Sequence, residues 1–129
     1  MSLSKLEAAK RNHPKLAKQL DAVWDYLSSQ QREGVQDFLP KLAAVKLGLN
    51  EAAALGLLML LEDAGLLAHQ YDVLCRNTNA LITSVPSLQE VEDGYDCNFC
   101  GRDHAADELR VELVFRPAGT PGGNFERAA

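Results

Sequence analysis

The chain has 129 residues, 47% hydrophobic and 24% charged, which suits one compact domain with a small appendage. Its formal net charge of −5 argues against a surface devoted to nucleic-acid phosphate, because such affinity comes largely from Lys and Arg. Three cysteines are too few for a disulfide scaffold and favour reduced thiols or metal ligation. The first residues carry charges and no apolar stretch, so we predict no secretory signal and expect a cytoplasmic protein.

The first part of the chain predicts two helices. A short helix at about residues 3–12, within an amino-terminal basic segment 1–14, carries Lys5, Lys10 and Arg11. In residues 15–31, apolar side chains recur at helical spacing, which predicts an amphipathic helix with one buried stripe. The stripe consists of Leu16, Leu20, Val23, Trp24 and Leu27. We interpret the basic residues as a solvated helix face, with a nucleic-acid-binding arm as the alternative.

Two further helices are predicted from their end signals. Asp37 is placed to cap the first of them, with Pro40 in its first turn and Gly48 at its end. Asn50 is placed to cap the next helix, because its side chain can accept hydrogen bonds from the first backbone N–H groups. Gly65 suits the left-handed position that ends that helix.

A hairpin should follow the helices. The strand-like runs 70–75 and 80–84 are separated by the turn-forming residues RNTN. This order of elements resembles the winged helix-turn-helix superfamily, and LAAVKLGLNEAAALGLLMLLEDAGLL carries the resemblance within residues 15–84. The resemblance implies a mainly α fold with a small β part, namely a three-helix core plus a wing hairpin. A generic helical hairpin domain is the alternative.

The helix that begins near Asn50 corresponds to the one that contacts DNA bases in many winged helices. Helical spacing turns one set of side chains inward, namely Ala54, Leu57, Leu58 and Leu61. The outward ridge consists of Ala52, Gly56, Met59 and Asp63, with Leu55 and Leu60 on its flanks. No Lys or Arg occurs between Lys46 and Arg76. Acids are present there instead, so a phosphate facing this helix would be repelled; they are Glu51, Glu62, Asp63 and Asp72. We therefore predict that the ridge binds a protein partner or a second copy of the chain. The alternative is that the amino-terminal helix covers it.

The stretch GYDCNFCGRDH contains Cys97 and Cys100 followed by Gly101, which resembles a zinc knuckle. Cys75 would be the third ligand of a zinc ribbon, and Thr78 occupies the place of its missing partner. The resemblance implies a zinc-ribbon-like element in residues 85–117. His104 is the preferred fourth zinc ligand, and His69 and Asp103 are less suitable alternatives. A degenerate ribbon held by its strands alone is the competing interpretation.

The residues ELRVELVFRP alternate between apolar and polar side chains and predict a strand. We expect LQEVEDGYD to pair with that strand inside the ribbon-like element. A redox function of the CxxC sequence has little support, because nothing supplies the strand and helix that flank such motifs in thioredoxin-like proteins. Residues 118–129 are rich in Gly and Pro and predict a disordered tail.

The sequence shows no catalytic constellation or phosphate-binding loop, so we do not expect an enzyme. The uncharged run from Ala52 to Leu61 is too short to span a membrane, which needs about 20 residues. We predict a protein–protein interaction adaptor that docks to a larger protein or self-associates. The alternative is a DNA-binding transcriptional regulator that uses the basic amino-terminal helix and Arg76 in the wing.

Overall fold

The structure of the protein is a computed structural model, which describes residues 3–91, 94–97, 102–105 and 109–118. These residues form a mixed fold of helices and antiparallel strands. The helices are α1 (Leu3–Asn12), α2 (Ala17–Arg32), α3 (Pro40–Leu47) and α4 (Glu51–Asp63), with 3₁₀ turns at Pro14–Leu16 and Leu88–Glu90. The strands are β1 (Leu67–Cys75), β2 (Leu81–Val85), β3 (Gly94–Cys97), β4 (Arg102–Ala105) and β5 (Leu109–Pro117).

The chain divides into two compact units. The first comprises residues 1–68 and 115–129, and the second comprises residues 69–114. The four helices therefore belong to the first unit, whereas the predicted wing hairpin and the cysteine element belong to the second.

The core of the first unit is built mainly from the inner faces of α2 and α4. The four inward positions predicted for α4 are all buried, and so are Leu20, Val23, Trp24 and Leu27 of α2. Burying each large apolar side chain contributes about 1.5–3 kcal/mol, so this interface is a major source of stability. Leu16 differs from the prediction, because it lies in the 3₁₀ turn before α2 and is only half-buried.

Both ends of α4 have the geometry that the sequence predicts. The Asn50 side chain accepts a hydrogen bond from the Ala53 backbone N–H at 2.7 Å. At the other end, Gly65 has a φ of 86°, in the left-handed region that glycine adopts without a Cβ clash. The N–H groups of Gly65 and Leu66 donate to the carbonyls of Glu62 and Leu61, each at 2.9 Å, and close a Schellman motif.

The predicted cap of α3 is wrong. Leu39 is the N-cap residue of this helix, and no side chain there accepts a capping hydrogen bond. Asp37 instead pairs with the guanidinium of Arg116, which lies far away in sequence. The long-range ion pair competes for the carboxylate, and Pro40 lowers the need for a cap because it has no N–H to satisfy.

The strands form two sheets in the described residues. A three-stranded sheet has the order β2-β1-β5, and a two-stranded sheet pairs β3 with β4. The predicted hairpin is confirmed, because β1 and β2 are antiparallel with Asp72 opposite Ser84. The expected pairing of the segment before the knuckle with the last strand is wrong. The segment before the knuckle begins with Leu88–Glu90, which forms a 3₁₀ turn. The last strand is β5, which lies beside β1 and has the buried apolar residues Leu109 and Val114.

None of the helices in the described ranges combines the length and the apolar character of a membrane-spanning segment. Helices α3 and α4 have that character only when taken together, and the chain bends by 111° between them.

Candidate protein-docking surface and cysteine element

The outward ridge of α4 is exposed, as its helical spacing predicts. Ala52, Gly56, Met59 and Asp63 all face solvent, and Met59 keeps 50% of its surface exposed. The flanking residues Leu55 and Leu60 are half-buried. An apolar side chain of this size on an exposed helix face is available to a partner.

Helix α1 contacts only one end of this ridge. A cleft of about 230 Å³ lies between α1 and the carboxyl-terminal end of α4, and Leu60, Asp63 and Ala64 line its α4 side. The buried residues of α1 are Leu6 and Ala9. Because Ala52, Gly56 and Met59 stay exposed beside it, α1 is not the element that covers the ridge.

An apolar groove runs along one side of the ridge. Its volume is about 410 Å³, and Gln19 is the polar exception among its lining residues. The lining consists of Leu16, Gln19, Leu49, Ala53, Gly56, Leu57 and Leu60. The groove explains why Leu16 is half-buried, since this side chain forms the groove wall instead of joining the core stripe.

Gly56 is the residue of this surface that internal packing does not explain. A Cβ atom built at Gly56 would meet no other atom within 4 Å. Its position in the interior of α4 costs about 1 kcal/mol relative to alanine. The chain therefore carries a glycine where its own packing has room for a side chain.

The cations proposed for the DNA-binding alternative are partly engaged inside the protein. Arg76 donates a long hydrogen bond of 3.4 Å to the carbonyl of Leu109. The Lys10 ammonium pairs with Asp21 at 3.0 Å and with Glu7 at 3.1 Å. The hydrogen bond to Asp21 raises the pKa of Lys10 most, and the hydrogen bond to Glu7 raises it further. Both cations are thus less available to phosphate than their positions in the sequence suggest.

Cys75 ends β1 and is completely buried. Its backbone closes the hairpin turn, because the Cys75 N–H donates to the Ala80 carbonyl at 2.9 Å and its carbonyl accepts from the Asn79 N–H at 2.7 Å. His69, one of the weaker alternative ligands, is exposed and contacts the Tyr71 ring edge-on at 5.7 Å between ring centroids.

The other predicted zinc ligands belong to the β3–β4 hairpin. Cys97 is the last residue of β3 and lies opposite Arg102, and His104 lies opposite Tyr95. Cys100 and Gly101, in the connection between these strands, lie outside the described residues, as do the side chains of Cys97, Asp103 and His104. No cluster of three metal-ligating residues occurs in the described part of the chain, but the predicted ligand set falls largely outside it.

Three groove residues, Gln19, Leu49 and Ala53, were given no role in the predictions from the sequence. Leu49 lies in the short connection between α3 and α4, and Ala53 lies on the first turn of α4. A groove wall depends on how helices cross, which spacing along one helix does not reveal. An apolar residue in an otherwise polar helix connection was the available signal for Leu49.

Comparison of the chain with protein families, with curated proteins and with solved structures finds no match.

Proposed function

We propose that this chain is a non-enzymatic adaptor on a winged-helix scaffold, which docks an apolar helix of a protein partner or of a second copy on the outer face of α4. The observation that carries the proposal is Gly56, an exposed glycine with open space around it between Met59 and an apolar groove. A helix can approach another closely where one presents a residue without a side chain, and Met59 adapts to irregular apolar surfaces. The partner helix would lie over Gly56 and place side chains in the groove.

The order of elements supports the winged-helix part of the proposal. Helices α2, α3 and α4 are followed directly by the antiparallel β1–β2 hairpin, as in a three-helix core with a wing. We further propose a zinc-ribbon-like element after the hairpin, with Cys75, Cys97, Cys100 and His104 as ligands.

DNA binding stays the alternative function with less support. The outer face of α4 carries no cation, and Arg76 and Lys10 make internal contacts. Arg11, Lys15 and Lys18 remain exposed and are the residues on which such binding would depend.

The test compares association of the wild-type chain with that of Met59→Arg. Self-association is measured by sedimentation velocity, and partner binding is measured by pull-down followed by quantification of each captured protein. Met59→Arg should abolish the association, because it places a charge in an apolar contact, while circular dichroism stays unchanged. Leu81→Arg is the matched control, since Leu81 is 45% exposed on β2.

Unchanged association of Met59→Arg would exclude the α4 surface. Binding to a DNA duplex at low salt that weakens steeply as salt rises would favour the alternative function, because apolar docking responds little to salt.

A further inference from the structure

Helix α3 carries a second exposed apolar pair that the α4 surface does not include. Val45 is 74% exposed, the highest value among the large apolar side chains of the described residues, and Leu42 is 53% exposed. These positions are three residues apart, so they are neighbours on one face of the helix. The opposite face of α3 packs inside the protein, because Ala43 and Ala44 are buried against Ala54.

Two lysines flank this pair. Lys41 and Lys46 are exposed, and neither has an ion-pair partner among the described residues. Lys46 suits the last turn of α3, where the helix dipole favours a cation. Lys41 occupies the first turn, where the dipole disfavours one, so helix stability does not explain it.

The nearest acid before α3 is engaged elsewhere. Asp37 directs its carboxylate to the Arg116 guanidinium, so it is already neutralised by a partner other than Lys41. The start of α3 therefore combines the positive end of a helix with an uncompensated lysine, one position before an exposed leucine. Such a surface complements a ligand that offers both apolar groups and carboxylates.

From this charge complementarity we propose that Lys41, Leu42, Val45 and Lys46, here called the α3 face, bind an acidic amphipathic segment of a partner protein. Apolar side chains of the segment meet Leu42 and Val45, and its carboxylates meet the two lysines. The chain bends by 111° between α3 and α4, so this segment is distinct from the helix proposed to lie on α4. Two docked segments on differently directed helices make the chain a bridge between them.

The probe is a displayed library of random 12-residue peptides selected against the full-length chain. Peptides that also bind the double variant Leu42→Ser/Val45→Ser are removed by counter-selection. We expect the remaining peptides to combine Leu, Ile or Phe with Asp or Glu. In fluorescence anisotropy, the affinity of such a peptide should fall about tenfold in the double variant. It should stay unchanged in Leu88→Ser, whose leucine is 58% exposed in the other unit, and in Met59→Arg.

A charge-reversal variant tests the role of the two lysines directly. Lys41→Glu/Lys46→Glu should lose the acidic peptide and bind a version in which lysines replace its acids. Circular dichroism verifies that each variant is folded. The proposal is overturned if no peptide survives counter-selection, if the surviving peptides carry no acids, or if charge reversal does not exchange the preference. It is equally overturned if charge reversal abolishes binding to a DNA duplex while Leu42→Ser/Val45→Ser leaves that binding intact, because the lysines would then serve nucleic acid.

Discussion

Phe38 and Phe115 exchange both of their backbone hydrogen bonds. The N–H of Phe38 donates to the carbonyl of Phe115 at 2.8 Å, and the N–H of Phe115 donates to the carbonyl of Phe38 at 2.9 Å. Both residues are almost fully buried in the first unit. The end of β5 is thereby joined to the connection between α2 and α3, next to the ion pair of Asp37 and Arg116.

Phe115→Ala should therefore destabilise the protein strongly. Replacing a buried phenylalanine by alanine costs about 3–5 kcal/mol, because apolar contacts are lost and a cavity remains. The free energy of unfolding in urea measures the effect. Arg116→Ala is the matched comparison and should cost at most about 1 kcal/mol, since the ion pair is partly exposed. Equal losses in the two variants would show that the aromatic contact is not the main attachment of β5.

Asn50→Ala should remove the side-chain cap of α4. The Ala53 N–H would lose its acceptor, and such substitutions cost about 1 kcal/mol of stability. Asn50→Asp keeps a capping oxygen and should retain the stability of the parent. Thermal unfolding followed by circular dichroism compares the three proteins. An alanine variant as stable as the aspartate variant would contradict the role of this cap.

Tyr26 should make stability depend on alkaline pH. Burial raises the pKa of its phenol from 10.0, since the phenolate is disfavoured where the ring packs against Ala43, Ala44 and Ala54. The folded protein thus holds this proton more tightly than the unfolded chain does. The resulting stability is fully present below pH 10 and is lost as pH rises through the folded pKa.

Urea unfolding of the parent and of Tyr26→Phe near neutral pH and above pH 10 measures this contribution. The stability of Tyr26→Phe should fall less between the two conditions, because it has no phenol to ionise. Titration of phenolate absorbance identifies the pH at which Tyr26 ionises. An equal fall in both proteins would assign the alkaline loss to other groups.

Gly56→Ala should stabilise the chain and weaken its association. The substitution fills open space and removes a helix glycine, so we expect a gain of about 0.5–1 kcal/mol in the free energy of unfolding. The same methyl group would hold a partner helix away from α4. Sedimentation velocity and urea unfolding on one sample measure both quantities. A gain in stability with unchanged association would show that no helix approaches closely at this position.

Cys97→Ser should release zinc and expose a limited segment to protease. Structural zinc is worth about 10 kcal/mol or more in isolated fingers, but here the four helices belong to the first unit and the proposed ligands belong to the second. Because β5 pairs with β1 and Phe115 is buried, we expect new cleavage only between Val91 and Leu109. Metal analysis and limited proteolysis provide the measurements, with Asn98→Ser as the control that keeps both cysteines. If the parent protein contains no zinc and its Cys97→Ser form resists protease equally, the knuckle has no zinc-binding role.

The helices and the hairpin could be predicted because their signals are local. Apolar spacing located the buried face of α4, and Asn50 and Gly65 located its two ends. These signals act within a few residues, so contacts between distant parts of the chain do not change them.

The errors concern contacts between residues far apart in sequence. Asp37 satisfied the local rule for a cap, yet Arg116 binds it from 79 positions away. The strand β5 was expected beside the knuckle but lies beside β1, because alternation predicts a strand without identifying its neighbour. The groove and the exposure of Val45 depend likewise on how the helices pack.

The bond between the two phenylalanines also has a consequence for the order of folding during synthesis. A ribosome adds residues at about 5–20 per second, so several seconds pass between the synthesis of Phe38 and that of Phe115. Helices α1 to α4 precede β5 in the chain and bury apolar side chains against one another, so they can form during that interval. Until β5 arrives, β1 has one unpaired edge, which is a site where a nascent chain can pair wrongly with another. The slowest and most aggregation-prone step of folding should therefore be the docking of β5.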